Sequence, residues 1–476
     1  MDIQDYISEP ARDLPVLGEF DVVVCGGGPA GCAAAIAATR HGAKTLLVEK
    51  EGFLGGAACT QLVCPILSTN GVDFQGIWHE FICWLQQNDA VRPFLGSAAQ
   101  GHITSAVDPE QVKFAWDSLL TKTGVEILHH AYAGRCIVEG KAIKGLCLET
   151  RAGRQAVLSR LVIDATGDGI VAAQTGAGFD QGDGTNPWAM ALTKVFRMGN
   201  VKRPAVWPDE DALEKVETEL TAAIERGEYD SPVIIEKQRF LGYLRQWLWA
   251  LPDQRREMLS VISRVLKVNP LDPFDITRAE REGREQARQA ADAMRRFAPG
   301  FEDAYLLDTS AQIGLRSSRR IHGLTMVSDD DAWNFRKQPD GVARSSWQID
   351  VWPADSYDKP AVPHDKADYQ WRLERMRQGD FFDIPYGCLV ARDVSNLFMA
   401  GRCISAGHLA ESSLRIQQTC MATGQAAGTA AALCIQTGLP PDKLDRQMLV
   451  NILAKDREAQ EYRGSFWKNY SKKAKP

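Results

Sequence analysis

The chain has 476 residues, of which 45% are hydrophobic, 24% charged and 8% aromatic. That is ordinary globular composition, and it excludes a disordered chain, a collagen-like repeat and a disulfide miniprotein. The 55 Lys and Arg against 61 Asp and Glu leave a formal charge of −6, a balance that repels a phosphate backbone and argues against a nucleic-acid partner.

In chain order, Asp21 to Cys25 is a short β-branched run followed by glycines and the Ala-rich stretch Ala30 to His41, which Gly42 closes. The pattern reads as strand, tight turn, helix. Lys44 to Glu49 reads as a second buried strand, so the region is a βαβ unit of a parallel sheet. The uncharged run Val22 to Thr39 has nearly the length of a membrane span, but Gly26, Gly27, Gly28 and Pro29 interrupt it, and no span is expected. A helix is predicted over Pro109 to Thr123. Short alternating segments follow around Val125–Leu128, Cys136–Val138, Ile143–Leu148 and Gln155–Ile163, with turns at Gly140 and Gly153. Leu161 to Gly169 is an apolar strand running into a glycine turn, a layout like the first unit's and a candidate second nucleotide contact. Residues 200 to 300 turn helical and charged, with helices at Asp209–Arg226 and Thr277–Phe297 and breaks at Pro204, Pro208, Pro252, Pro270 and Pro273. They read as an insertion. Trp333, Trp347, Trp352 and Trp371 then fall among polar turns, before a strand at Leu397–Ala400, a small-residue helix at Thr419–Thr437 and a solvated basic tail, Lys472–Lys475.

Gly26, Gly28 and Gly31, with Pro29 and Ala30 between them, follow a strand and open a helix, the context that a dinucleotide fingerprint requires. Gly26 permits the tight turn, Gly28 lets backbone approach a pyrophosphate, and Gly31 allows close helix–strand packing, with the helix N-terminus facing the phosphate charge. Glu49, at the end of the second strand, is positioned to accept from ribose hydroxyls. This unit alone does not separate FAD from NAD.

The wider pattern separates them. It opens with Glu9-Pro-Ala-Arg12 and Gly18-Glu-Phe-Asp-Val-Val-Val-Cys-Gly-Gly-Gly-Pro-Ala-Gly31, then Leu47-Val-Glu-Lys50 and Gly52-Phe-Leu-Gly-Gly56. Asp164-Ala-Thr-Gly-Asp-Gly169, Asn269-Pro-Leu-Asp272, Gln312 to Ile321, Phe382-Asp-Ile-Pro-Tyr386, Ala400-Gly-Arg-Cys-Ile-Ser405 and Cys420 to Gly428 continue it. Over most of its length the chain resembles the FAD-dependent oxidoreductase family related to succinate dehydrogenase and fumarate reductase flavoproteins. The resemblance implies an α/β protein: a glutathione-reductase-like, Rossmann-type FAD-binding domain with an inserted α+β substrate domain. The implied division is 1–185 for the first part of the FAD domain, 186–380 for the insertion with its helical segment at 205–300, and 381–476 for the C-terminal part. It also implies a non-covalent FAD, with Gly26 to Gly31, Glu49 and Lys50 on the ADP half, Gly55 and Gly56 near the isoalloxazine, and Ala165, Thr166, Gly167 and Asp168 over the pyrophosphate. Gly401 and Arg402 belong to the returning segment. A helix start near Met421 and Ala422 would stabilise negative charge on the reduced flavin. Were the flavin covalently linked, His41 and Cys59 are nearest to these motifs.

Side-chain chemistry is less clearly written. Cys59 and Cys64 form a C-x4-C pair reminiscent of flavin disulfide reductases, but Cys59 is one residue too far from Gly56, and no second nucleotide fingerprint follows. A flavin-proximal wall residue is the preferred reading, at a position where the family often carries Thr. His408 falls where the family places a histidine beside the flavin, and an imidazole there could take a hydroxyl proton; a hydrogen-bonded structural role is the alternative. Arg316, Arg319 and Arg320 match the family's Gly-x-Arg-x-x-Arg-Arg run, either as substrate clamps, with Arg316 favoured, or as an ion-pair brace. Asp350-Val-Trp352 stands where the family often reads Asp-Ile-His, which suggests an altered substrate wall. No metal is expected: His79-Glu80 has no later His at the right spacing, His129 and His130 point to different faces, and no C-x2-C exists.

The sequence thus predicts an FAD-dependent enzyme that removes a hydride from a C–H next to oxygen or nitrogen of a small-molecule substrate, as dehydrogenase or oxidase, with His408 as base. A flavin-dependent reductase of an activated C=C bond, clamping its substrate with Arg316, is the alternative, and a non-catalytic flavin-binding protein a third. Eleven cysteines without a repeating framework, and an acidic opening (Asp2, Asp5, Glu9, Asp13) lacking an export signal, lead us to expect free thiols and a cytoplasmic protein. Whether it forms a homo-oligomer is left open.

Overall fold

Val22, Val23 and Val24 have no exposed surface at all, which is what a strand buried on both faces of a parallel sheet requires. In the computed structural model, which describes residues 7–68, 76–94, 103–202, 210–246, 248–251, 256–357 and 366–461, they lie at the centre of a seven-stranded sheet. Pro204, Pro208, Pro252, Asp209 and the basic tail Lys472–Lys475 lie outside the described residues. Strand β1 (Val16–Cys25) leads through the glycine turn into α1 (Pro29–Arg40) and β2 (Thr45–Val48). A short helix, α2 (Ala57–Thr60), and then α3 (Pro109–Thr123) follow. The bounds of α3 match the expectation because both ends carry strong signals. Asp108 accepts from Glu110 N and Gln111 N at 2.8 and 3.3 Å, and Gly124 ends the helix in the left-handed conformation.

Next come β3 (Glu126–Leu128), β4 (Tyr132–Glu139), β5 (Ala142–Thr150) and β6 (Gly153–Asp164). The sheet order is β3-β2-β1-β6-β5-β4. Pairings from β3 to β6 are parallel, while β6, β5 and β4 form an antiparallel meander. Gly140 and Gly153 turn this meander, both at positive φ.

The insertion has its own core. Strands β7 (Phe196–Gly199), β8 (Leu248–Ala250) and β9 (Met258–Ser260) join β10 (Tyr305–Thr309) in a four-stranded antiparallel sheet of order β8-β9-β7-β10. Helices α4 (Glu210–Glu225) and α5 (Pro273–Phe297) cover it through Leu213, Leu220 and Met294, packed with Phe196 and Phe240. Helix α5 starts four residues before the expected Thr277, because Asp272 caps it and Pro273 fills its first position.

The chain then returns. Strand β11 (Leu397–Met399) pairs in parallel with β6, and helices α6 (His408–Leu414) and α7 (Gln417–Thr437) follow. Helix α7 lies directly on α1: a Cβ at Gly424 would stand 2.0 Å from the Ala30 carbonyl oxygen, and one at Gly428 would stand 2.1 Å from that of Ala34. Bare glycines and the alanines of α1 therefore let two backbones touch.

Gly424→Ala should destabilise the protein, since a methyl forced into packed backbone costs about 1–3 kcal/mol, more than the ~1 kcal/mol that Ala gains over Gly in a helix. Gly242→Ala, in the helix Lys237–Gln246 where a new Cβ meets nothing within 4 Å among the described residues, should instead raise stability. Guanidinium unfolding midpoints followed by circular dichroism would separate the two.

Candidate active site

The parallel registers align four strand ends. Cys25 is level with Val48 and with Asp164, and Asp164 is level with Met399. Beyond this carboxyl edge, where ligands of open parallel sheets bind, the chain turns at Gly26, Glu49, Ala165 and Gly401, and all four line one cavity of about 400 Å³.

Gly26 takes φ +102° and Gly31 has no room for a side chain, since its Cβ would sit 1.7 Å from the Gly26 carbonyl oxygen. The turn is thus welded to the first turn of α1. Gly28, the N-cap, supplies no capping side chain, and Pro29 and Ala30 line the cavity with it. The uncapped N–H groups of this helix end are suited to a pyrophosphate. Glu49 is buried; its Oε2 accepts from Gly27 N at 2.5 Å and its Oε1 from Glu51 N at 2.8 Å. Burial raises its pKa despite these bonds, and each oxygen keeps a lone pair for a ribose hydroxyl. Lys50 lines the same end.

Asp164 organises the second turn from beneath. Its carboxylate, wholly buried, accepts from Thr166 N and Oγ1 and from Ala172 N. Ala165, Thr166, Gly167 and Asp168 consequently face the cavity. Arg402 locks this turn to the returning segment, donating to Asp168 Oδ1 at 2.5 Å, to Gly167 O at 2.9 Å and to Leu315 O.

Gly56 also lines the cavity. Gly55, like Gly31, stands behind the wall: its N–H donates to Gly27 O at 2.9 Å, and a Cβ there would lie 2.6 Å from Cys59 Sγ. Met421 and Ala422 are a correction. Helix α7 begins at Gln417, two residues earlier than expected, so its first turn starts there, while Met421 and Ala422 lie inside the helical ladder and off the cavity. Ile416, Gln417 and Cys420 line it instead.

The side-chain candidates divide. Arg316 lines the cavity, with Nη1 donating to Ala191 O and, at 2.7 Å, to Thr193 Oγ1. Burial and the nearby Arg415 and Arg264 bring its pKa down to about 9. Arg319 and Arg320 are braces: Arg319 donates to Asp168 O, and Arg320 forms a buried ion pair with Glu411 at 3.0 Å while also bonding Ala406 O and Gly182 O. His408 does not line the cavity. It opens α6 among Gly182, Asp183, Asp329 and Arg320, and its buried Nδ1 has no hydrogen-bond partner among the described residues. Cys59 is likewise off the cavity: Sγ donates to Pro109 O at 3.3 Å, and burial pushes the thiol up to about 12. Cys64 is buried too, and burial raises its pKa well above the usual thiol value. Neither thiol suits a redox pair.

Three groups escaped sequence reading as candidates. Asp350 lines the cavity and pairs with Arg415, whose Nη2 lies 3.1 Å from Oδ2. Arg415 follows His408 in a recognised segment, a signal that was available. Arg264 carries no motif, yet its guanidinium stands 3.8 Å from the centre of the Trp352 ring.

Among the described residues no cluster of His, Cys, Asp and Glu is placed to hold a metal, and no helix is long and apolar enough to cross a membrane. All eleven cysteines are free.

The family described as FAD dependent oxidoreductase matches residues 21–453, and the chain belongs to it. It is an enzyme of the α/β, Rossmann-type flavoprotein class, and FAD is its cofactor. The dihydrolipoyl dehydrogenase of Trypanosoma brucei brucei is 51% identical over 53 residues, 11% of either chain. The tRNA uridine 5-carboxymethylaminomethyl modification enzyme MnmG of Zymomonas mobilis is 31% identical over 134 residues, 28% of this chain and 15% of its own. The match to the curated dihydrolipoyl dehydrogenases thus spans about a tenth of their length. A geranylgeranyl bacteriochlorophyll reductase-like protein from Thermoplasma acidophilum covers 94% of this chain and 84% of its own at 13% identity and a TM-score of 0.45. An L-proline dehydrogenase from P. horikoshii covers 90% and 95% at 12% identity and a TM-score of 0.41.

Glu49→Ala should weaken FAD binding by about 10- to 100-fold, the loss expected when a charged acceptor of several hydrogen bonds is removed; titration of apoprotein with FAD by fluorescence quenching measures it. His408 has its pKa lowered by burial and Arg320, so the neutral ring is favoured on folding and its contribution is lost as pH falls through the unfolded value of about 6.5. Between about pH 7 and 5, His408→Gln should therefore lose unfolding free energy less steeply than the wild type.

Proposed function

We propose that the enzyme oxidises a small organic substrate by taking a hydride from a C–H bond next to oxygen or nitrogen. The observation that carries this reading is a carboxylate, Asp350, that lines the cavity together with the aromatic residues Trp347, Trp352 and Tyr243. When bound, FAD supplies the two-electron acceptor. Asp350 takes the proton from the substrate hydroxyl or ammonium, in the role that sequence reading gave to His408. Arg415 orients that carboxylate, and the aromatic walls fix the substrate and exclude water. Arg316 orients the other end of the substrate.

The remaining expectations find support of different kinds. A non-covalent flavin agrees with His41 at the far C-terminal end of α1 and with Cys59 turned away from the cavity. The domain division at 185 and 380 agrees with a separate hydrophobic core for residues 196–304. Free thiols throughout suit a reducing, cytoplasmic setting. One observation favours the opposite direction of electron flow: among the described residues Arg316 has no carboxylate partner, and an unpaired guanidinium would polarise an activated C=C bond for reduction.

Stopped-flow mixing of photoreduced protein with oxygenated buffer, with a quinone and with unsaturated acids tests the reading. Slow oxidation by oxygen and fast oxidation by the quinone are expected of a dehydrogenase. Fast oxygen consumption with stoichiometric peroxide would make it an oxidase, and fastest oxidation by an unsaturated acid would overturn the proposed direction. Asp350→Asn should slow substrate-driven flavin reduction by about 10²- to 10⁴-fold.

A further inference from the structure

We propose that Glu51 and Gln312 form a latch across the rim of the cofactor cavity, one that sets how fast FAD enters and leaves without setting how tightly it is held.

The two residues come from distant parts of the chain. Glu51 follows β2 and the ribose-facing Glu49, whereas Gln312 follows β10, where the chain leaves the insertion. Both line the cavity, and Gln312 Nε2 donates to Glu51 Oε1 at 2.6 Å. Neither is sealed off: the Glu51 side chain keeps 30% of its surface in solvent, and Gln312 is half-buried. A bond between two lining residues that both still meet water lies where the cavity opens.

A carboxylate on the wall of a cavity that takes a pyrophosphate is repelled by it, so the charge of Glu51 works against affinity. That charge is engaged elsewhere: the Gln312 amide donates to it, and Lys50 Nζ lies 4.0 Å from the same oxygen. The backbone on either side is firmly held. Glu51 N donates to Glu49 Oε1 at 2.8 Å, and the Glu51 carbonyl accepts from His129 Nδ1 at 3.1 Å and His130 N at 3.4 Å. Across the rim, Gln312 N donates to Thr60 O at 2.9 Å, Ile313 N to Glu280 Oε1 at 2.6 Å and Gly314 N to Thr193 O at 2.7 Å.

Two other ties between walls of the cavity are harder to open. Arg402 makes three bonds, two of them to carbonyl oxygens, and Gln417 reaches the backbone at Val63. Glu51 and Gln312 meet only at their side-chain tips, so a rotamer change in either breaks the contact while both backbones stay in place. Because the bond joins protein to protein, holding it with and without FAD raises the barrier to entry and exit alike and cancels from the equilibrium.

FAD itself is the probe. Stopped-flow mixing of FAD with full-chain apoprotein gives the association rate, and dilution of the FAD-loaded chain, followed by the return of free-flavin fluorescence, gives the dissociation rate. Glu51→Ala and Gln312→Ala should each raise both rates by about tenfold, the factor that matches loss of one charge-assisted hydrogen bond, and leave Kd within about threefold. The two changes combined should be no faster than either alone, because they break one bond. Glu51→Gln, which keeps the shape and a neutral hydrogen bond, should raise both rates by less, and it tests the latch even if an alanine variant does not fold. Unchanged rates would overturn the proposal. So would a rise in dissociation alone with Kd weakened in proportion, since that marks a direct contact with FAD, the behaviour expected of Glu49→Ala. Effects that multiply in the double variant would overturn it too, as they assign the two residues separate roles.

Discussion

Direct contact between the backbones of α1 and α7 is the constraint on which the site depends. With glycine at 424 and 428 and alanine at 30 and 34, no side chain separates the helices, so the axial position of α7 is set by α1 itself. The fixed helix then delivers three contacts. Thr423 Oγ1 accepts from Gly401 N at 3.0 Å, holding the turn after β11, and Gln417 Nε2 donates to Val63 O at 2.7 Å, holding the segment after α2. Gln425 accepts from Ile77 N. The first two tie walls of the cavity to a helix seated on α1, whose own start lines the same cavity at Gly28, Pro29 and Ala30.

The parts of this architecture that came through in the sequence are those whose cause is local. A β-branched run, a glycine turn and an alanine helix state β1 and α1 within a short stretch, and Asp108 and Gly124 bracket α3 with their own caps. Where a boundary was missed, the reason is equally local: α7 has Ile416 at its N-cap, a residue without capping chemistry, so nothing in the sequence announced a start at Gln417. That shift of two residues moves the helix start by about half a turn and leaves Met421 and Ala422 off the cavity. Arg264 and Trp352 meet only because the segment after β9 and the one around Asp350 are folded together, and no periodicity encodes such a meeting. His408 lies off the cavity for a different reason. The residues after it give α6 a Glu411 that draws Arg320 into a buried pair beside it.

The arginines illustrate how environment divides one residue type into roles. Arg320 and Glu411 are both nearly sealed from solvent and satisfy one another, with two carbonyls completing the guanidinium. Arg402 spends all three nitrogens on Asp168 and two carbonyls. Such groups are finished structures, rigid because nothing remains to be bonded. Arg316 lines the cavity and bonds a carbonyl and a hydroxyl through Nη1, so a single Gly-x-Arg-x-x-Arg-Arg run holds one cavity-lining guanidinium and two braces.

The long return of the chain has a consequence for synthesis. Walls of the cofactor cavity come from Cys25 and from Cys420, so the cradle cannot close while the ribosome is still making the intervening segments. The first βαβ unit must wait with its apolar faces and uncapped helix end exposed, and contacts this distant in sequence are slow to form. In a nascent chain of this enzyme the cradle therefore stays open until α7 emerges, and a cofactor can be enclosed only after translation is nearly complete.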